Sequence, residues 1–331
     1  MPTIDIHNHF IPMVAIDGAR KGSGFDGLTT DTVDGEEWLV HRQGYRYPLQ
    51  RGFYDLAERL RSMDERHVDQ AVMSISPTMF MYWAGASAAA DFCRQTNDEM
   101  AAFGKASGGR LHPVATLPMQ DPDLAAAELR RAVSELGLYG AQIGPVIEGT
   151  WLDQADVRTV LATAQELGVP LSMHPYFVGA KPGLEDFYMT NLVGNPLETV
   201  ICATRLIFSG LMDELPSLSL VLMHGGGYFP YQIGRLDHGH EVRPEAKGSQ
   251  HAPSSYLRRF YYDTVTHAPR PLRFLVDLAG ADNVLYGTDY PYDMAAGPLS
   301  DQLDGTGLDA ESTERIAGRN AARLFRLPVG R

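Results

Sequence analysis

Cysteine is almost missing from this chain: two residues in 331, Cys93 and Cys202. They stand far apart, each in an apolar, helical-looking stretch, so a disulfide framework is not expected and buried free thiols in a reducing cytoplasm are. No run of 18 apolar residues occurs, which leaves no candidate membrane span. The first residues lack the charged, apolar and small-residue regions of a signal peptide, and a cytoplasmic protein is expected. Low-complexity tracts and repeats of fixed 20–50-residue period are absent as well. Basic residues are in deficit, 28 against 41 acidic ones, for a net charge of −13. That argues against nucleic acid or an anionic membrane as the main partner. A small anionic substrate stays open, because a few arginines in a cleft outweigh a diffuse negative surface. Finally, no strand is followed by G-x-G-x-x-G or G-x-x-x-x-G-K-[ST], so a doubly wound nucleotide-binding sheet lacks support.

What is present starts at the N-terminus. Residues 3–6 of MPTIDIHNHF alternate polar and apolar and predict a short strand ending in His7-Asn8-His9. Side chains two apart on a strand share a face, so His7 and His9 can converge on one point. Two such imidazoles suit a borderline-soft divalent ion; taken alone, they could equally be two surface histidines. Residues 11–55 are rich in Gly, Asp and aromatics. Within them Glu37-Trp38-Leu39-Val40-His41-Arg42 and Gly44-Tyr45-Arg46-Tyr47 predict a small inserted hairpin over the mouth of the domain. Strand patterns then recur at 68–75, 111–117, 138–143, 169–174, 218–224, 260–264 and 283–289. Helical patterns fall at 86–106, 124–136, 153–167, 195–212, 229–239, 271–279 and 312–325. Several strands are apolar runs, as in a parallel sheet buried on both faces. Eight strand–helix units in this length, with 44% apolar residues, predict an α/β fold of the (β/α)8 TIM-barrel class. One domain is expected over 1–331, with 11–55 as the insertion.

The strand ends carry the chemistry. The first ends in His7 and His9, the fifth in His174, the sixth in His224 and the eighth in Asp289. Barrel enzymes draw their reacting groups from the C-terminal ends of several strands. Each residue singly has an ordinary reading, as a hydrogen-bonded core histidine or a turn aspartate. All five at such ends together, each a potential metal ligand or proton carrier, point to a reaction centre.

IDIHNHF, the MHP of 173–175, the HGGG of 224–227 and the GTDYP of 287–291 resemble the amidohydrolase superfamily. Within it the chain is similar to the metal-dependent decarboxylases of the 2-amino-3-carboxymuconate-6-semialdehyde decarboxylase branch. The resemblance runs nearly end to end and includes Gly44-Tyr45-Arg46, Gly234-Arg235-Leu236-Asp237 and the closing GRNAARLF of 318–325. It implies one Zn2+ per chain, with Mn2+ as the alternative ion, held by His7, His9, His174 and Asp289. His224 would stand just outside as general base or orienter. Many members carry a Lys or Glu at the end of the fourth strand that bridges two metals. Here Gln142-Ile143-Gly144-Pro145 stands there, so a single metal is implied.

The resemblance also implies that Arg46 and Arg235 clamp substrate carboxylates, the second reaching a neighbouring subunit of a homodimer. Gly225-Gly226-Gly227 would let the backbone approach the metal site or substrate. Tyr176, Phe177, Trp83, Tyr290 and Tyr292 are candidates for the wall of a pocket holding a flat conjugated substrate. The chain departs from the family at Tyr176, where HPW is usual, and at Tyr290-Pro291-Tyr292-Asp293, so that wall differs. The implied function is a non-oxidative decarboxylase of a conjugated or aromatic carboxylic acid, with His224, or Asp289 if substrate binds the metal directly, supplying the proton. A hydrolase or hydratase cleaving an amide, lactone or C–C bond is the alternative, and a non-catalytic binding protein the third.

Overall fold

The first strand, β1 (Ile4–Phe10), sets the frame: all seven of its residues are buried. Its parallel pairing with β5 (Gln70–Ile75) slips between Asp5 and Asn8, a bulge next to the histidines. On one side of it, Ile4 and Ile6 pack with Val72, Val114, Val221, Met223 and Leu285. On the other, Asp5 and Asn8 line a small cavity with Arg59 and Arg66. The bulge lets one short strand feed a hydrophobic layer, a polar layer and two converging imidazoles. The computed structural model describes residues 1–24, 27–42, 44, 46–176 and 182–328.

From β5 the ladder runs in parallel to β6 (Leu111–Pro113). Ala115 bridges to Ala141 and so reaches β7 (Ala141–Ile143). The ladder goes on through β10 (Leu171–Met173), β11 (Leu220–Leu222), β12 (Phe260–Asp263) and β13 (Val284–Leu285). A second bridge, Asn8 to Tyr290, returns it to β1. The eight parallel strands therefore close into a (β/α)8 barrel. Between β7 and β10 stands a two-stranded turn, β8 (Val146–Ile147) and β9 (Thr150–Trp151).

Local rules account for the helices around it. Asp55 caps α2 (Leu56–Glu65) by accepting the Glu58 N–H at 3.0 Å, and Asp121 caps α4 (Pro122–Ser134) through Leu124 at 3.1 Å. The 21-residue α3 (Ala86–Ala106) buries Ala89, Phe92, Cys93, Thr96, Asn97, Met100 and Gly104, the stripe its spacing predicts. α9 (Pro269–Ala279) buries Leu272, Leu275, Val276 and Ala279. α5 (Arg158–Leu167) ends at Gly168 in the left-handed conformation. Cys93 and Cys202 are both buried and free. Among the described residues no helix is long and apolar enough to cross a membrane.

Three expectations are corrected. The insertion is not a two-stranded hairpin. It holds α1 (Met13–Arg20) and a three-stranded antiparallel sheet of β2 (Thr29–Val33), β3 (Glu36–Val40) and β4 (Arg46–Pro48). β2 reads TTDTV and is largely exposed, so it carries no apolar alternation to betray it. Tyr45, expected in the second strand, lies outside the described residues. The helix expected over 195–212 is two helices, α6 (Asn195–Phe208) and α7 (Leu211–Glu214). Gly210 separates them at φ 79°, and a side chain there would meet the Gly248 carbonyl at 2.8 Å. The closing helix is α11 (Ala310–Glu314) and α12 (Asn320–Leu324), joined by a wider turn over 315–319.

Candidate active site

The strand-end residues meet at one rim of the barrel. One ligand atom from each of His7, His9, His174 and Asp289 falls within 4.8 Å of all the others, and all four residues are buried. The rings of His7, His9 and His174 stand 5.0 Å apart, edge to face. Asp289 Oδ1 is 2.8 Å from His9 Nε2 and 3.2 Å from His7 Nε2. His224 joins from the next strand, its ring 4.8 Å from His174 and its Nε2 3.7 Å from Asp289 Oδ2.

Each ligand histidine is oriented from behind. His7 Nδ1 lies 2.6 Å from Asp263 Oδ2, His174 Nδ1 meets the Pro175 carbonyl, and His9 Nδ1 is 3.4 Å from the Ile75 carbonyl. This fixes the Nε2 atoms toward the centre, the arrangement that ligand imidazoles adopt. His7 Nε2 and His174 Nε2 are buried with no hydrogen-bond partner. A buried acceptor without a donor is costly, and a cation at the centre would satisfy both. The donor set therefore fits a metal ion.

Charge tells the same story. Burial works against the protonated form of His7, yet Asp289 and Asp263 carry it up to about 10. Burial holds His9 down to about 4, and His174 well below the usual imidazole value with the neighbouring histidines adding to it. Burial also opposes the charge on Asp289, but His7, His224 and His9 keep it well below the usual carboxylate range. Without an ion, Asp289 and Asp263 thus favour a proton on His7; a divalent ion at the centre can replace that proton and leave Nε2 as an acceptor.

Asp263 was not among the expected site residues, although it ends the seventh strand just as the others end theirs. Applying the strand-end rule to β12 would have found it. It holds His7 and also accepts the backbone N–H groups of His224 at 2.9 Å and Gly225 at 2.7 Å. The glycine run shapes this turn, Gly226 (φ 77°) closing on the Tyr262 ring and Gly227 (φ 59°) on the Pro196 carbonyl, and Gly225 and Gly227 also line the cavity beside His224. His224 and Asp289, at φ 57° and 68°, carry side chains in the same unusual region. Arg59 was also missed. It is fully buried, donates to Asn8 Oδ1 at 2.7 Å and to the His9 carbonyl, and so braces the bulge. Nothing in LAERLR distinguishes it from a surface arginine.

The expected substrate groups divide. Tyr292 joins the cluster, its half-buried ring 5.3 Å from His9 and its hydroxyl on Ser76. Tyr47 and Phe53, from the insertion, pack against Tyr292 at 5.7 and 5.1 Å. Tyr176 packs on Tyr82 and Phe80 at 5.4 and 5.9 Å. Tyr290 turns away under Arg59 and Arg66. Trp83 is half-buried with its indole N–H unpaired, and Phe177 lies outside the described residues. Arg46 is half-exposed, 3.5 Å from Asp31 and 5.6 Å over the Trp38 ring. Arg235 is exposed on α8 (Phe229–Val242). Neither arginine makes a hydrogen bond or ion pair with the histidine cluster. Beside His224 and Asp289 opens a cavity of about 520 Å3, walled by residues of α6, α8, α9 and the turn after β12.

Comparison with known proteins places this geometry. The family model described as Amidohydrolase matches residues 4–327. The chain is 31% identical to 2-amino-3-carboxymuconate-6-semialdehyde decarboxylase of Dictyostelium discoideum, over 98% of this chain and 91% of that one. Its fold is similar to 5-carboxyvanillate decarboxylase of Sphingomonas paucimobilis, with a TM-score of 0.84 and 26% identity over 99% of this chain and 100% of that one. It is also similar to a dihydroxybenzoic acid decarboxylase of Polaromonas sp. JS666, solved with manganese and the inhibitor 2-nitroresorcinol. There the TM-score is 0.79 with 25% identity, over 99% of this chain and 98% of that one.

Proposed function

The chain belongs to the amidohydrolase family, and from that premise we propose that it is a metal-dependent, non-oxidative decarboxylase of a conjugated or aromatic carboxylic acid. One observation carries the reading: imidazole Nε2 atoms, two of them buried and unpartnered, converge on a carboxylate at the edge of a cavity large enough for a ring. His7, His9, His174 and Asp289 would hold one divalent ion per chain. A three-histidine, one-carboxylate set takes Zn2+ or Mn2+, and the manganese of the dihydroxybenzoic acid decarboxylase makes Mn2+ worth loading beside Zn2+. When bound, such an ion would polarise a substrate oxygen as a Lewis acid.

In the net reaction the bond from the ring or chain carbon to the carboxylate breaks. Its electron pair stays on carbon, a proton joins that carbon, and CO2 leaves. His224 is assigned to hold the proton. Its ring reaches the cavity, its Nδ1 has no partner, and its main chain is fixed by Asp263. Asp289 is the second candidate donor, though its surroundings favour the ionised form. Arg46 and Arg235 are assigned to substrate carboxylates, with Tyr176 and Tyr292 as wall. Arg235, exposed on its helix, would act across a homodimer. The buried thiols support a reducing, cytoplasmic setting.

The test joins metal analysis of the purified chain with CO2 release from a panel of conjugated and aromatic acids, for the wild type and His224→Ala. The expected result is about one divalent ion per chain, with CO2 release lost in the variant and metal retained. One ion without CO2 from any acid would shift the assignment to the hydrolase or hydratase reading. Two ions per chain would overturn the single-metal site.

A further inference from the structure

The cavity beside His224 and Asp289 has one wall that neither the cluster nor the expected clamp accounts for. It is made by the turn after β12 and the start of α9, and it brings Thr266, His267 and Arg270 to the cavity. Among the described residues lining the cavity, Arg270 is the one guanidinium. Most arginines of this chain are engaged, Arg46 with Asp31, Arg205 with Asp153 and Arg273 with Asp277 among them. Arg270 makes no hydrogen bond or ion pair among the described residues.

The wall is held in register with the metal ligands by a single carboxylate. Asp263 Oδ2 lies 2.6 Å from His7 Nδ1, while Oδ1 accepts the N–H of Gly225 at 2.7 Å and of Val265 at 3.1 Å. Thr266 closes the turn, its N–H on the Thr264 carbonyl at 2.7 Å and its hydroxyl on the Ala268 carbonyl at 3.3 Å. The base of α9 is thus tied to the group that aims His7. Pro196, Tyr228, Tyr231 and Phe274 also line the cavity, an apolar and aromatic surface suited to a flat ring. A ring seated there would have His224 and Asp289 at one side and an unpaired guanidinium at another.

We propose that Arg270 determines substrate specificity from within its own chain, by pairing with a second anionic group of the substrate remote from the carboxylate that is lost. The substrate class that follows is a flat conjugated or aromatic acid with two anionic groups. This rests on the decarboxylase reading for the word substrate, but the subsite can be tested without turnover. A guanidinium pairs with a carboxylate through two parallel hydrogen bonds, which an ammonium cannot reproduce and an amide replaces without charge.

The probes are isophthalate and benzoate, which share a ring and differ by one carboxylate. Their binding to the metal-loaded chain is measured by calorimetry for the wild type, Arg270→Gln, Arg270→Lys, Arg46→Gln and Arg235→Gln, with metal content checked in each. Arg270 is exposed, so these substitutions leave the core untouched. We expect isophthalate to bind the wild type about tenfold or more tightly than benzoate, the worth of one charge-assisted pair. Arg270→Gln should abolish that ratio, Arg270→Lys restore part of it, and benzoate affinity and metal content stay unchanged. A wild type without the preference, or a preference that survives Arg270→Gln or is lost instead in the Arg46 or Arg235 variant, overturns the proposal. An Arg270-dependent preference in a chain that releases no CO2 from any acid keeps the subsite and sinks the decarboxylase reading. CO2 release with an Arg270-independent preference does the reverse.

Discussion

Two sheets in this molecule carry polar residues on their strands, and they use them in opposite ways. β1 is buried from end to end, yet four of its seven residues are Asp5, His7, Asn8 and His9. Each has a partner: Thr288 on Asp5, Asp263 on His7, Arg59 on Asn8, Asp289 on His9. The sheet of β2, β3 and β4 is only partly buried, and its charges meet on the surface, Arg20 with Glu37 and Arg46 with Asp31. A polar side chain in water can lose its partner cheaply; one sealed in a barrel cannot. Where a chain buries imidazoles and carboxylates and then leaves Nε2 atoms unpaired, the buried strand marks the functional centre.

Breaking the buried side should have the largest effect. His7→Ala or His9→Ala should leave no stoichiometric metal in elemental analysis and abolish CO2 release. Restoring metal to the stripped wild-type chain should raise its Tm, about 2.7 kcal/mol of stabilisation at a free-ion concentration a hundred times Kd. A smaller loss is expected for Asp263→Asn, which keeps the shape but removes the charge behind His7. Metal affinity, from competition with a chelator, should fall roughly 10–100-fold. Arg59→Met is expected to cost about 1–3 kcal/mol for each acceptor it orphans, Asn8 Oδ1 and the His9 carbonyl, in denaturant unfolding.

The comparison sharpens at His41, a buried histidine within the insertion. Burial holds it down to about 3. The folded chain refuses a proton that the unfolded chain accepts below about 6.5, so His41's contribution is intact above that value and lost as pH falls toward 3. Hydrogen exchange in the insertion should accelerate over that window, and less so in His41→Gln. In the metal-free chain His7 works with the opposite sign, contributing stability below 6.5 that is lost as pH rises through about 10. The smallest effect belongs to the surface pair. Arg46→Ala should change stability by less than about 1 kcal/mol, whatever it does to substrate affinity. A larger loss would mean the exposed sheet is not as cheap as its burial implies.

The parts of the site that were legible share a property. His7 and His9 could be paired from strand alternation, and His174, His224 and Asp289 from their place at strand ends. Those rules gave five candidates; the resemblance separated His224 from the other four, and it is those four that the fold brings within 4.8 Å. Asp263 obeyed the same rule and was passed over. Arg59 had no local mark, because a buried arginine and a surface arginine in a helix read alike. β2 was missed because a strand exposed on both faces shows no hydrophobic period, and Gly210 was missed because a break between two apolar helices looks like one of them.

The sequence alone determined the barrel class, the candidate histidine and aspartate ligands and the absence of a bridging lysine. These depend on periodicity and on residue chemistry, which act over a few residues. Tertiary structure decided that Asp263 holds both His7 and the His224 turn, that Arg46 faces Asp31, and that Arg270 lines the cavity. His7 and Asp263 are 256 residues apart and meet only because the eighth strand closes on the first. Such partners are products of barrel closure, and no local pattern encodes them.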